Sequence, residues 1–178
     1  MATVAYTRQA VATDIPDIMT VINAGIAYLK EQGSPQWQYG HGPNEVIITN
    51  DIKAGFGHVL VLDDHVVGYG ALVPGPEPAY EDIKAGSWLI TSDTESKYVA
   101  IHRIAIDTTI RGQGLAKTLF HDLVVLARAR GYIDQRVDTY PANEIMQKVI
   151  SKAGFTYRGM IQFNFEHGER KAYQLIVH

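Results

Sequence analysis

The chain has 178 residues, of which 46% are hydrophobic and 20% charged, and we expect residues 1–178 to form one ordinary globular domain. Its net charge of −3 gives no argument for nucleic acid or a membrane surface as a partner. It contains no cysteine, which excludes disulfides, thiol nucleophiles and cysteine metal sites and fits a cytoplasmic protein. No apolar run approaches the roughly 18 residues of a membrane span, and we expect no signal peptide.

The N-terminal segment predicts a strand followed by a long helix. Residues 4–10 have strand composition, and Thr13 or Asp14 is placed to cap a helix whose first turn contains Pro16. An apolar stripe with helical spacing follows, formed by Ile15, Ile18, Met19, Ile22, Ile26 and Leu29. We assign this stripe to the hydrophobic core, and the Gly-Ser-Pro sequence at 33–35 ends the helix.

Residues 36–43 form a predicted loop that is rich in glycine and aromatic residues. Aromatic side chains in loops often line ligand pockets, so Trp37 and Tyr39 are candidate contacts for a substrate. The alternative is that Trp37 closes one end of the hydrophobic core. His41 has the chemistry of an acid–base group, but a surface histidine without a role is the simpler interpretation.

A second helix and a hairpin are predicted next. The helix begins at Pro43 or Asn44 and ends at the glycines of residues 55–57. Strands over residues 58–62 and 66–73 are then joined by two adjacent aspartates. Aspartates between two apolar strands indicate a tight turn rather than a catalytic carboxylate pair.

Residues 74–97 are long for a connection between strands, and such connections tend to be functional or disordered. The segment begins with three prolines in five residues, and Tyr80, Ile83 and Trp88 make it too apolar for a disordered linker. We therefore expect a folded flap that carries Tyr80 and Trp88 to a substrate site. The alternative is an ordered edge hairpin without ligand contact.

The centre of the chain predicts a strand, a glycine-rich turn and a helix in succession. Residues 98–107 are apolar and β-branched, residues 111–116 contain two glycines, and an amphipathic helix runs from there to Gly131. The first N–H groups of a helix lack intrahelical partners, the helix dipole makes this end positive, and glycines allow close approach to the backbone. Residues 111–118 therefore predict a phosphate cradle, to which the side chain of Lys117 or Thr118 would add a contact.

The C-terminal segment adds three strands and a helix. We predict a strand over residues 134–139, a helix capped by Asn143, and strands over 155–165 and 171–177. The predicted order is strand, two helices, three strands, helix, strand, helix and two strands. This order indicates an α+β protein with a mixed sheet.

Arg111, Gly114 and Ala116 form the pattern R-x-x-G-x-A between the central strand and its helix, whereas the Rossmann and P-loop patterns are absent. The pattern resembles the acetyl-CoA signature of the GNAT-type N-acetyltransferases, R/Q-x-x-G-x-G/A, and the resemblance covers residues 98–160 best. It implies a GNAT-like, mixed and mostly antiparallel sheet of about seven strands, flanked by helices and with splayed central strands.

The resemblance also implies acetyl transfer from acetyl-CoA to the primary amine of a small molecule or peptide, without a metal. Backbone N–H groups of the cradle would bind the pyrophosphate, and the end of the central strand would hold the pantetheine. The implied cofactor contacts are Ile104, Ala105, Ile106, Arg111, Gly112, Gln113, Gly114, Leu115, Ala116, Lys117, Thr118 and Asn143. Capping of the helix alone is an equal alternative for Asn143.

His102 is the candidate base, since some members of the family carry a base histidine on the central strand. The alternative is a partly buried histidine bonded to a backbone carbonyl. Arg103 is a candidate contact for the acceptor, as are Trp37, Tyr39, Tyr80 and Trp88. Its side chain must face away from that of His102 if the strand is regular, and a bulge would change this. Many members carry an acid tyrosine where this chain has Ile150. Tyr140 and Tyr157 are the nearby candidates to replace it, of which we select Tyr140, and the alternative is that the thiolate leaves without an acid.

Two functions remain open at this stage. His102 and the aromatic segments favour an enzyme, whereas Ile150 slightly favours a domain that binds acetyl-CoA as a sensor or partner module without turnover. The acceptor is open among polyamines, amino sugars, amino acids, aminoglycosides, peptide N-termini and protein lysines. Aromatic residues suit an apolar or cationic acceptor. The resemblance also makes a homodimer one candidate oligomeric state.

Overall fold

The computed structural model describes residues 4–89, 97–110 and 112–178. In these ranges the chain forms seven strands and five α-helices, and a 3₁₀ turn at Ala12–Asp14 precedes the first helix. Their bounds are β1 Ala5–Gln9, α1 Ile15–Glu31, α2 Glu45–Lys53, β2 Gly57–Leu62, β3 His65–Pro74, α3 Pro78–Glu81, β4 Tyr98–Ile106, α4 Leu115–Ala129, β5 Asp134–Thr139, α5 Glu144–Lys152, β6 Thr156–Gln162 and β7 Glu169–Ile176. This order confirms the predicted one, with the short helix α3 as an addition.

The strands form one sheet in the order β1-β2-β3-β4-β5-β7-β6, which confirms the predicted mixed α+β fold. Strands β1 and β2, β2 and β3, β5 and β7, and β6 and β7 pair antiparallel, whereas β4 and β5 pair parallel. The parallel register runs only from Tyr98↔Asp134 to Ile101↔Val137, although β4 continues to Ile106. Strand β5 stays paired with β7 as far as Thr139. The central strands therefore splay, as predicted.

By its internal contacts the chain divides into two compact units. The first unit contains residues 1–72 and 103–123, and the second contains residues 73–102 and 124–178. The predicted single domain stays a prediction.

The core of the first unit is built from apolar faces of helices and strands. Its fully buried side chains include Ile18, Ile22, Ile48, Leu60, Tyr69, Leu119, Phe120 and Leu123. Side chains of β4 and α4 pack tightly against Gly70 of β3. A Cβ built on Gly70 would lie 2.7 Å from Ile104 Cδ1 and 2.8 Å from Leu123 Cδ1. A side chain at this position would displace Ile104 and Leu123, so glycine allows the close packing of β4 and α4 here.

The first helix begins differently from its prediction. Asp14 is the residue before α1, but its carboxylate makes no capping bond to the helix. Both of its oxygens instead accept hydrogen bonds from the Arg8 guanidinium at 2.8 Å, and one also accepts the Val11 N–H. The ion pair competes successfully with the cap, because a bidentate guanidinium–carboxylate pair is the stronger interaction.

The predicted turn at the β2–β3 hairpin is confirmed. Asp63 and Asp64 have φ of 49° and 63°, the left-handed pair of a type I′ turn. Aspartate tolerates this conformation better than most residues, which explains two of them in succession.

The core of the second unit centres on Tyr80, Tyr98, Ala100, Ile161 and Ala172. The predicted folded flap lies against this core over residues 74–89, since Trp88, Ala79 and Ile83 pack on the cluster. Backbone hydrogen bonds of 2.8 Å in both directions between Lys84 and Met160 secure it. Residues 90–96, the remainder of the predicted flap, lie outside the described residues.

Candidate active site

The turn between β4 and α4 has the geometry of an anion cradle. Gly112 and Gly114 have φ of 76° and 69°, a conformation that favours glycine. A Cβ built on either glycine would meet no atom within 4 Å, so the backbone here is open to a ligand. Asp107 shapes the start of the turn by accepting hydrogen bonds from the N–H and hydroxyl of Thr109.

Helix α4 supplies the donors of this cradle. Its first intrahelical bond runs from the Thr118 N–H to the Gly114 carbonyl at 3.0 Å. The N–H groups of Leu115, Ala116 and Lys117 precede it and belong to the first turn, where helical N–H groups lack intrahelical acceptors. The helix dipole adds partial positive charge. These residues therefore fit the pyrophosphate of a CoA ester.

Thr118 and Lys117 are the two cradle residues whose side chains were predicted to contact the cofactor. The Thr118 hydroxyl donates to the Gly114 carbonyl at 3.3 Å, so it also braces the turn. Lys117 is exposed, and its predicted side-chain contact with the cofactor stays a prediction. Arg111, the first residue of the signature, lies outside the described residues.

The end of β4 is predicted to hold the pantetheine. Ile104 and Ala105 are buried. The Cδ1 of Ile106 lies so close to Gly68 that a Cβ built on this glycine would be 2.8 Å from it. The two isoleucine side chains thus pack on the two glycines of β3. This packing leaves backbone groups as the part of the segment suited to a cofactor.

Strand β4 is irregular at Arg103, which has φ of 58°. The backbone at this residue is not that of a regular strand, for which strict alternation would place Arg103 opposite His102. The Arg103 guanidinium donates to both oxygens of Asp51 at 2.8 and 2.7 Å. Tyr69 donates to the same carboxylate at 2.8 Å. This network holds a conformation that is strained for a residue other than glycine.

In the second unit, His102 lies between two carboxylates. Its Nδ1 is 3.8 Å from Oδ2 of Asp138, and its Nε2 is 4.0 Å from Oε2 of Glu77. The side chain of His102 is 13% exposed. A partly exposed imidazole between acidic groups has the surroundings of an acid–base residue, because both carboxylates stabilise the protonated ring.

Asp138 is itself fixed by two further residues. The Tyr80 hydroxyl donates to its Oδ2 at 2.7 Å, and Nε of Arg170 lies 3.7 Å from its Oδ1. Burial, followed by the negative charge of Asp138, holds the pKa of Tyr80 well above its usual value. Burial likewise lowers the pKa of Arg170. Tyr80 therefore remains a hydrogen-bond donor at any physiological pH.

The aromatic residues of the flap surround this cluster. The ring centroid of Tyr80 lies 5.4 Å from that of Trp88, 6.0 Å from that of Tyr98 and 5.9 Å from that of His102. The Trp88 indole donates to the Tyr80 carbonyl at 2.6 Å. The Tyr98 hydroxyl accepts the Glu77 N–H at 2.6 Å, which positions the segment that carries Glu77. The structure thus brings together His102 and the two predicted flap aromatics.

The loop aromatics of the first unit have different surroundings. Trp37 has φ of 62° and packs towards α1, since a Cβ on Gly25 would lie 3.5 Å from its ring. Tyr39 is 80% exposed. The contact of Trp37 with α1 agrees with the core-closing alternative. An acceptor contact of Trp37, Tyr39 or Arg103 stays a prediction.

The remaining predicted residues lie at the end of β5. The Tyr140 ring is 5.5 Å from the guanidinium carbon of Arg170. Burial, followed by a hydrogen bond with Glu169, raises the pKa of Tyr140, which makes it a weaker acid. Asn143 caps α5 by accepting the Met146 N–H at 3.1 Å, and any additional cofactor contact stays a prediction.

Sequence reasoning missed Glu77, Asp138 and Arg170. A signal for Asp138 was present, because Asp134, Arg136 and Asp138 alternate along one predicted strand and must share a face. Three charged residues on one face of an interior strand indicate a buried polar network. No comparable local pattern marks Glu77.

The chain is similar to known acetyltransferases. A model of the acetyltransferase (GNAT) family matches residues 26–155. The chain belongs to the GNAT family. A GNAT acetyltransferase from Streptococcus agalactiae is 34% identical, with a TM-score of 0.86 over 98% of this chain and 96% of that chain. Among curated proteins no match is found.

More distant structures share the fold of this GNAT protein. A GNAT acetyltransferase from Listeria monocytogenes is 22% identical, with a TM-score of 0.74 over 97% of this chain and 95% of that chain. A ribosomal-protein-alanine N-acetyltransferase from Brucella melitensis is 17% identical, with a TM-score of 0.68 over 97% and 99%. Membership of the family supports acyl transfer from acetyl-CoA.

Two searches of the described residues gave negative results. Within residues 4–89, 97–110 and 112–178, no group of three or more histidine, aspartate or glutamate residues is arranged to hold a metal ion. In the same ranges, no helix has the length and hydrophobicity needed to cross a membrane.

Proposed function

We propose that this GNAT protein is an N-acetyltransferase that moves the acetyl group of acetyl-CoA to a primary amine of a small molecule or peptide. The observation that carries the proposal is the strand, glycine turn and helix start over residues 104–118, in a chain that matches the family model over residues 26–155. The two left-handed glycines open the backbone, and the first turn of α4 provides the donors.

In this proposal the chain binds acetyl-CoA through backbone groups. The N–H groups of residues 113–117 bind the pyrophosphate, and the segment Ile104–Ile106 holds the pantetheine. Acetyl-CoA supplies the electrophilic thioester carbon. Backbone N–H groups at the end of β4 are also the proposed donors to the carbonyl oxygen, where negative charge develops.

His102 is the proposed base. An alkylammonium with a pKa of about 10.4 is almost wholly protonated at neutral pH, so its proton must be removed before attack. His102 takes one proton from the ammonium, a bond forms between the amine nitrogen and the thioester carbon, and the carbon–sulfur bond breaks. The nitrogen passes its second proton to solvent as the amide forms, and His102 returns its proton to solvent. The sulfur leaves with its electron pair and takes up one proton to become the free thiol.

The acid that protonates the sulfur cannot be the residue in the family's usual position. Ile150, which stands in the family's tyrosine position, is fully buried on α5 and carries no donor. Tyr140 is the proposed donor, although its raised pKa makes it a poor acid. A thiolate is a good leaving group, so departure without an acid is the proposed alternative.

Two measurements test the proposal. Calorimetric titration with acetyl-CoA and desulfo-CoA measures binding, and a panel of amines with detection of free thiol measures turnover. We expect binding and turnover with at least one amine class. Absence of binding would refute the cradle, and Gly114→Asp, which adds bulk and a like charge, should abolish binding if the cradle is correctly placed.

The second candidate function is a module that binds acetyl-CoA without turnover, and the observation that favours it is the buried Ile150. Binding of acetyl-CoA together with the absence of thiol release across all amine classes would support this module. A homodimer and a cytoplasmic location are further proposals, of which sedimentation analysis tests the first.

A further inference from the structure

Asp138 is the point at which three side chains of the second unit meet. The Tyr80 hydroxyl donates to its Oδ2 at 2.7 Å, Nδ1 of His102 lies 3.8 Å from the same oxygen, and Nε of Arg170 lies 3.7 Å from the other. The side chain of Asp138 is 9% exposed. A carboxylate that is held from two sides has a fixed direction, and here it faces one particular nitrogen of His102.

We propose that Asp138, held by Tyr80, is a positioning residue that keeps the proton of neutral His102 on Nδ1, so that Nε2 is the nitrogen that takes the proton of the acceptor amine. The inference rests on the proposed N-acetyltransferase function. It assigns a direction to the base, which the family membership does not provide.

The choice of nitrogen follows from the two carboxylates that flank the ring. In a neutral imidazole one nitrogen donates and the other accepts, and the partner of one nitrogen decides the state of the other. Asp138 is nearly buried and braced, whereas Glu77 is 30% exposed. In this proposal the braced carboxylate of Asp138 fixes Nδ1 as the donor, and Nε2, which faces the more exposed Glu77, accepts the proton.

The distance of 3.8 Å is longer than a hydrogen bond. Catalytic hydrogen bonds are often long without substrate and tighten in the complex. Tyr80 and Arg170 hold the carboxylate in place, so in the proposal the imidazole is the group that moves to shorten the distance. Arg170 also gives the buried carboxylate an opposite charge, without which its burial would be unfavourable.

The groups that face His102 include Glu77 before α3, Tyr80 on α3 and Asp138 on β5, with Arg170 on β7 behind Asp138. Once His102 has accepted a proton, both carboxylates stabilise the imidazolium. Loss of the Asp138 charge should therefore move the acidic limb of the pH–rate profile to lower pH, in addition to lowering the rate.

The first test needs no acceptor. The ¹⁵N shifts of the two imidazole nitrogens, recorded on uniformly labelled protein and assigned with His102→Gln, report which nitrogen carries the proton. We expect Nδ1–H in the wild type and a shift towards Nε2–H in Asp138→Asn. An Nε2–H tautomer in the wild type would overturn the proposal, whatever the enzyme's activity.

The second test is kinetic and uses the amine found in the panel. General base catalysis contributes about 10²–10⁴-fold, and we expect Asp138→Asn to lower kcat by about tenfold or more with KM for acetyl-CoA unchanged. Tyr80→Phe keeps the ring and should lower kcat less, in the same direction. Unchanged kcat and an unchanged pH profile in Asp138→Asn would refute the positioning role.

A matched control separates positioning from loss of stability. Tyr69 is another fully buried tyrosine that donates to a buried aspartate, Asp51, but this aspartate binds Arg103 instead of a histidine. Tyr69→Phe should lower the melting temperature about as much as Tyr80→Phe and leave the His102 tautomer unchanged. If His102→Ala leaves the rate unchanged, the proposed base is wrong. An effect of His102→Ala without one of Asp138→Asn refutes only the positioning.

Discussion

Each of the two units contains a buried tyrosine that donates to an aspartate carboxylate, and the two pairs serve different partners. In the first unit, Asp51 accepts from Tyr69 and binds the Arg103 guanidinium with both oxygens, all at 2.7–2.8 Å. In the second unit, Asp138 has one short bond from Tyr80 and two cationic or basic neighbours at 3.7–3.8 Å. In the first network all of these contacts are short, whereas in the second only the contact with Tyr80 is short.

The chemistry of the partner explains the difference. A guanidinium remains charged at all relevant pH values and forms a bidentate pair, which suits the restraint of a left-handed residue in a strand. An imidazole changes charge near neutral pH, and a looser neighbour leaves it room to accept and release a proton. The same tyrosine–aspartate pair thus supports structure in one unit and, in our proposal, proton transfer in the other.

The largest expected effect is the loss of catalytic rate when His102, the residue before Arg103, is replaced. His102→Ala should lower kcat by about 10²–10⁴-fold without changing the affinity for acetyl-CoA, because only the base is lost. Steady-state kinetics and calorimetric titration measure the two quantities. His121→Ala is the control, since His121 lies on α4 with 73% of its side chain exposed, and it should leave kcat unchanged.

The next effect concerns the first network. Asp51→Ala should lower the free energy of unfolding by about 3 kcal/mol, because it leaves the partly buried Arg103 without its carboxylate and Tyr69 without its acceptor. Urea unfolding measures the loss. A loss below that of Asp14→Ala, whose partner Arg8 is more exposed, would contradict the assignment of Asp51 as the restraint of β4.

Removal of the tyrosine hydroxyls should have smaller effects of similar size. Tyr69→Phe and Tyr80→Phe each remove one buried hydrogen bond to a carboxylate and should each lower the free energy of unfolding by about 1–2 kcal/mol. Thermal unfolding compares them. A clear loss in one variant and none in the other would show that the two pairs are not energetically equivalent.

The smallest effect is the pH dependence of a third carboxylate pair, that of Asp14 with Arg8. Hydrogen bonds from the Arg8 guanidinium, with one from the Val11 N–H, hold the pKa of Asp14 below its usual value. The unfolded state therefore binds more protons, so the stabilisation is present above about pH 4 and is lost as the pH falls through the folded pKa.

Unfolding in urea between pH 2.5 and 5 measures this dependence. The difference in unfolding free energy between the wild type and Asp14→Asn should shrink towards acid pH, by at most about 1 kcal/mol because Arg8 is partly exposed. A difference that grows towards acid pH would contradict the assigned sign.

Local patterns were sufficient for most of the fold. The predicted strand over residues 134–139 agrees with β5 at both ends, and Asn143 caps α5 as predicted. The glycines at 112 and 114 have the left-handed conformation that a phosphate turn needs. Periodicity, caps and glycine turns act over a few residues, so the sequence by itself determined the strands, the long helices, their order, the glycine turn and the family resemblance.

Only the tertiary structure decided the surroundings of the candidate base. Tyr80 and Asp138 are separated by 58 positions in the sequence, and Arg103 and Asp51 by 52. Arg103, which has a left-handed backbone conformation within β4, binds such a distant partner. A contact between distant residues leaves no periodic trace in the chain, because it is created when strands and flap pack together and their polar groups must find partners in the interior.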